Sequence, residues 1–328
     1  GDVSSETVVT LDGAAVSSAY FHGVYFSAAV AARVDVVNGC VFTVDNHALA
    51  FANTLSSALT LTDVTATSTN AAGTLLQFNG AITGTITISG GAFTAPGHFL
   101  TTTATFTGSV SVADAAVTSK NGLSFTAVTG GTISVKGGSF ALSNMGIIVA
   151  GALDSASMIS VFGGASFTTS GSYCLRVNGD VAGSVLYSDG VSCQSASASL
   201  YLASDVTGSV ALRDTAMQAG AAACVYIVGG IVSGGSLSVA GGSLGGNWAF
   251  TMGGTIDATS SLSFTGVALS RAIQVHGVMA GSLTVSGSTL TSGNYGIAFH
   301  DDVSGTATIT DLVLTCSRRN WNVSVRSP

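Results

Sequence analysis

Charge is what this sequence has least of. Only 8% of its 328 residues are charged, nine Lys or Arg against sixteen Asp or Glu, for a net charge of −7. An ordinary soluble domain carries about a quarter charged residues. Nine scattered cations form no stripe that could neutralise phosphates or anionic lipid, so nucleic acid is not an expected partner. Proline is nearly missing, at two residues. No uninterrupted apolar run reaches the roughly 18 residues of a membrane helix, and the first residues lack the charged-then-apolar pattern of a secretory signal. Neither a membrane span nor a signal peptide is expected.

Closely spaced cysteines are absent too. Cys40, Cys174, Cys193, Cys224 and Cys316 form no CxxC or Cys/His pattern, so a zinc site has no support in the sequence, and no cofactor is expected. Cys174 and Cys224 fall at nearly the same point of repeats two apart. Repeats stacked at strand spacing would hold them roughly 10 Å apart, too far to bridge. They read as small apolar residues in a stack, with a disulfide between some other pair as the alternative.

What the chain does have is glycine, 43 residues of it, a mean hydropathy of +0.57, and a strict repeat. Low complexity here means regularity and not disorder, which would need low hydrophobicity and high net charge. At Val9, Val34, Leu59, Ile86, Val110, Ile133, Ile159, Val185, Val210, Leu237, Leu262, Leu283 and Ala307 an apolar strand signal recurs. Four residues after each stands Gly, Asn or Asp: Gly13, Asn38, Asp63, Gly90, Asp114, Gly137, Gly163, Asp189, Asp214, Gly241, Gly266, Gly287 and Asp311. These three residue types tolerate positive φ, so the position predicts a tight turn once per repeat.

Within a repeat, Ser236, Leu237, Ser238 and Val239 alternate polar and apolar, the period-two signature of a half-buried strand. Seven residues past the marker a second inward row is predicted, in Val16, Val41, Ala66, Phe93, Val117, Phe140, Met217, Leu244, Leu269, Leu290 and Leu314. A third strand follows in pairs such as Val24 with Phe26, Leu49 with Phe51, Leu123 with Phe125 and Ile273 with Val275. The expected fold is all-β: a single-stranded, right-handed parallel β-helix over residues 1–316, with about 13 coils of about 25 residues and three strands per coil, then a polar tail over 317–328. Leucine-rich repeats and propeller blades need other spacings.

Candidate sites are few. The recurrent Asp63, Asp114, Asp189, Asp214 and Asp311 suggest calcium, but Gly fills the same slot in seven coils and the GGxGxD nonapeptide is missing, so a backbone turn is expected. His300, Asp301 and Asp302 are a local base-and-carboxylate cluster, on one loop only. Outward hydroxyls flank the first-strand marker in seven coils: Thr85/Thr87, Ser109/Ser111, Thr132/Ser134, Ser236/Ser238, Ser261/Ser263, Ser282/Thr284 and Thr306/Thr308. This ladder is similar to the faces of ice-binding β-helices, although Arg33, Asp35, Met158, Leu186 and Ala211 interrupt its rows. Asn322 heads a glycosylation acceptor in a tail that also holds Arg318, Arg319, Trp321 and Arg326.

The repeats GSLSVAGGSLGGNWAFTM, GTISVKGGSFALSNMGIIVAG and GSLTVSGSTLTSGNYGIAFHDDVSG resemble the kinetoplastid dispersed gene family of surface proteins along nearly the whole chain. The resemblance implies a cell-surface, pectin-lyase-like β-helix with an adhesive role. Polygalacturonase-type β-helix enzymes also resemble this fold, but their NTD, DD, GHG and RIK motifs are not found, and Val275–Val278 reads VHGV. The expectation is a non-enzymatic, extracellular or surface-displayed rod whose partner is another copy of itself, stacked end to end, or extracellular matrix or glycan. Ice binding and polysaccharide binding or degradation are the alternatives.

Overall fold

The computed structural model describes residues 7–19, 21–293 and 296–316. Asn322, Arg318, Arg319, Trp321 and Arg326 lie outside them. The described residues contain no helix and wind into a β-solenoid of about 12 turns of about 25 residues. The thirteen marker strands, from Val8–Asp12 to Thr306–Thr310, form one thirteen-stranded sheet. Each pairs in parallel with its counterpart in the next coil, so the markers oppose one another without a slip from Val9 to Ala307.

All thirteen turn positions adopt left-handed backbone, with φ from 49° at Asp214 to 68° at Gly241. A β-branched side chain would be strained there, whereas Gly, Asn and Asp are not. The Gly and Asp choices also interlock. A Cβ on Gly90, Gly137 or Gly241 would lie 2.1–2.2 Å from a carboxylate oxygen of Asp63, Asp114 or Asp214 in the preceding coil.

The second and third strands stack into two further ladders. These fuse where Ala92–Thr102, Ala116–Phe125 and Ser139–Val149 run through the intervening corner unbroken, so those coils have two strands, one of them long, in place of the expected three. A fourth inward column completes the cross-section. It consists of single-residue bridges from Val30, Leu55, Ile82 and Phe106 through to Met279 and Val303.

Val41 corrects the expected second row: it is 42% exposed, and Phe42, 1% exposed, pairs with Val16 in its place. Gly39, at φ 71°, adds one residue to that corner and moves the inward position to the eighth after the marker. Gly164 and Gly190 do the same before Phe167 and Cys193.

The interior is one continuous apolar cluster from Val30 to Phe299, in which like stacks on like. Phe26, Phe51 and Phe78 pile up with ring centroids 4.6 and 4.9 Å apart, and Phe140 on Phe167 at 4.6 Å. No coil closes a core by itself, so its stability comes from its neighbours. Cys174 stacks below Ser199 and Cys224 through successive backbone hydrogen bonds, two coils apart as the spacing requires. Its disulfide partner is Cys193 in the next coil, with Cα atoms 6.2 Å apart. Cys40 and Cys224 are free and buried, and burial pushes the Cys224 thiol up to about 12.

Candidate functional site

The outer side of the thirteen-stranded sheet is where strand alternation and coil register act together. The marker and the residue two past it point into the core and the residues on either side of the marker point outward, so one residue type repeated at such a flanking position becomes a straight file along the axis. The predicted hydroxyls form two such blocks. Thr85, Ser109 and Thr132 are directly opposite one another, as are Thr87, Ser111 and Ser134. Farther along, Ser236, Ser261, Ser282 and Thr306 make one file and Ser238, Ser263, Thr284 and Thr308 its companion. Thr85, Thr306 and Thr308 are exposed and the others half-buried.

Between the blocks the files break. Met158 is 39% exposed, and Leu186 and Ala211 follow it in the neighbouring file positions. At the first coils Arg33 and Asp35 pair across 2.8 Å on the same strand. The surface is therefore two hydroxyl plates separated by a small apolar strip.

The second-strand face holds a feature that sequence reading missed. Its outward file contains Thr43, Thr67, Thr94 and Thr118, then Ala141, then Thr168. Three open depressions of about 540, 200 and 190 Å³ follow one another along it. The largest lies where the fused strands raise Pro96, Lys120 and Ser143 into a wall beside Thr94 and Thr118. The signal was in the sequence as Thr directly after the inward residues Phe42, Ala66, Phe93, Val117 and Phe167, and the one-residue insertions at Gly39 and Gly164 hid its period.

The loop cluster is not assembled as a catalytic group. His300 stacks on His276 with centroids 4.2 Å apart and planes 8° from parallel. Asp301 instead accepts the N–H of Asp302 at 2.9 Å, and neither carboxylate bonds the His300 ring among the described residues. Burial first and the neighbouring His300 second hold His276 below the usual imidazole range.

The most strongly bonded carboxylates are corner staples. Asp257 accepts from the Ser260 hydroxyl at 2.6 Å, the Ser233 N–H, and the Thr259 N–H and hydroxyl at 3.0 and 2.9 Å. These donors, Ser260 foremost, hold it down at about 2. Asp154 does the same for another corner, lowered first by the Gly130 N–H at 2.9 Å and next by the Ser157 hydroxyl. Both follow directly on a bridge residue, Leu153 or Ile256. Such carboxylates spend their lone pairs on local donors. No group of three or more His, Cys, Asp or Glu among the described residues is placed to hold a metal ion.

No family model, curated protein or solved structure matches this chain.

Proposed function

We propose that the chain is a non-enzymatic, extracellular or surface-displayed scaffold that holds long flat faces in fixed register for adhesion, and that rungs stack end to end into longer assemblies. The observation that carries this reading is the unbroken register of thirteen parallel strands. Such a ladder fixes outward side chains at one coil spacing over a rod on the order of 60 Å long. The Cys174–Cys193 bridge supports an oxidising compartment, because disulfides persist mainly outside the cytosol. Among the described residues the first and last coils expose apolar side chains, Val8 at 57%, Ile309 at 43% and Val313 at 62%, which supports the stacking of further coils on them, from another copy or from more of the same protein.

Two measurements test it. Thiol labelling of protein taken from its native cells, with and without reductant, should find Cys174 and Cys193 protected. Finding both as free thiols in the native material removes the extracellular placement. Electron microscopy of the purified chain separates discrete rods from filaments, and strictly monomeric rods at all concentrations remove end-to-end assembly.

The in-register hydroxyl plates favour a second reading, an ice-binding face. Thermal hysteresis that vanishes when Thr85, Thr87, Thr132 and Thr306 are replaced by bulky residues would establish it. A parent protein without hysteresis ends it.

A further inference from the structure

The third-strand face carries an aromatic and cationic cluster over three consecutive coils. Arg176, Tyr201 and Tyr226 stand opposite one another in adjacent strands Leu175–Val177, Leu200–Leu202 and Ala223–Ile227. Tyr173 lies at the corner just before Arg176. Its ring stacks on Tyr201 at 4.7 Å, and Tyr201 meets Tyr226 edge-on at 5.5 Å. The room for these rings comes from Ala198 and Ala223, which take the corner position that Tyr173 fills in one coil and Trp248 in another.

Arg176 is held from two sides. Its guanidinium carbon is 5.5 Å from the Tyr173 ring centre and 5.4 Å from that of Tyr201, both within cation–π range. Its Nε donates to Asn178 Oδ1 at 2.5 Å. The terminal amino groups have no acceptor among the described residues, and Arg176 makes no ion pair there. A guanidinium fixed at its Nε edge and flanked by rings presents its outer edge already oriented. That edge matches one planar carboxylate, and orienting it beforehand removes much of the ordering cost of binding.

We propose that this cluster binds a terminal sugar bearing a single carboxylate. The charge pattern selects it: in the same file Arg176 is preceded by Ile148 and followed beyond the tyrosines by Thr251 and Gln274, so one cation stands alone. A polyanion needs several cations, and its affinity would collapse with salt. The surroundings select a polyhydroxy ligand. Tyrosine hydroxyls and the Asn178 amide supply short polar groups, whereas the broad apolar centre of a protein interface is missing, Val228 at 41% being the large apolar side chain exposed nearby. The half-buried tyrosines are locked by stacking, which suits them as rigid contact area.

The inference rests on the adhesive reading only for where such a sugar is met; binding of a purified sugar tests it separately. The intact chain is titrated by calorimetry with 3′-sialyllactose, with lactose, and with a short glutamate-containing peptide. Sialyllactose should bind at least about ten-fold tighter than lactose, the size expected of one charge-assisted bidentate contact. Arg176→Gln should erase that preference, and Arg176→Lys should keep part of it, with melting temperatures like the parent's. Equal binding of the two sugars by the parent protein overturns the proposal without any variant. So does a preference that survives in a well-folded Arg176→Gln protein, or a peptide that binds more tightly than the carboxylated sugar.

Discussion

The corner after the first strand and the corner between the second and third strands belong to the same coil, yet they are built on different constraints. At the first, every coil adopts left-handed backbone, from Gly13 through Asp114 to Asp311. At the second, the inward corner residue is Leu75, Phe99, Gly122, Gly146, Cys174, Ser199, Cys224, Ala249 or Ala272, and in three coils the strand passes straight through. One corner is set by backbone conformation, which few residues satisfy. The other is set by volume, which neighbours share: Phe99 is fully buried above Gly122, where an added Cβ would come 2.5 Å from the Gly146 carbonyl oxygen. The two large residues, Leu75 and Phe99, are followed along the axis by the two glycines, Gly122 and Gly146, and then by small side chains, so bulk in one coil is met by space in the next.

The largest effect should come from emptying the volume-limited corner. Phe99 is 0% exposed and packs on Phe93 at 4.8 Å. Phe99→Ala should cost about 3–5 kcal/mol in denaturant unfolding, because the glycines beside it cannot swell to fill the space. A loss below about 1 kcal/mol would mean the corner collapses freely, and the contrast with the first corner would dissolve.

At the backbone-limited corner the expected loss is smaller and of another kind. Asp114→Val places a β-branched residue at φ 54° and should cost about 1–2 kcal/mol, while Asp114→Gly should stay near the parent. If both variants behave alike, conformation is not what selects the residue.

Acid should act on the volume-limited side. His98 lies beside that corner, and its pKa is lowered from 6.5, chiefly by burial and secondarily by Lys120. The unfolded chain then takes up its proton first as pH falls, so stability is retained above pH 6.5 and declines below it towards the lowered folded value. Unfolding curves at pH 7 and pH 5 should show a smaller drop for His98→Asn than for the parent. His47 and His276 are lowered in the same direction and leave a residual slope in the variant.

The same contrast explains what could be read before the structure. Register, turn positions and the outward hydroxyl files follow from rules that act on single residues at fixed intervals, so Val9 to Ala307 and Gly13 to Asp311 were legible. The bridge column at Val30 to Val303 was not, because one inward residue between two turns carries no periodicity. Nor was the Cys174–Cys193 pair, which depends on how two different corners approach across the interior. The Arg176 cluster was hidden differently: Arg176, Tyr201 and Tyr226 share one repeat position without sharing a residue type, and Tyr173 joins them from the neighbouring corner only once the coils are stacked.

The smallest effect should come from removing Gly39, and it bears on how the two corners communicate. A Cβ on Gly39 would meet nothing within 4 Å, so the residue fills no space. Its deletion returns Phe42 to the seventh position after Val34, the spacing found from Val9 to Val16, while the turn at Asn38 is untouched. Stability should then stay within about 0.5 kcal/mol of the parent. A one-residue slip would instead turn Val41 inward and expel Phe42, reversing every side chain to the next corner and unfolding the coil. Cooperative unfolding at the parent midpoint therefore identifies Gly39 as a true insertion, and loss of the transition would show that the extra residue sets the register of the second strand.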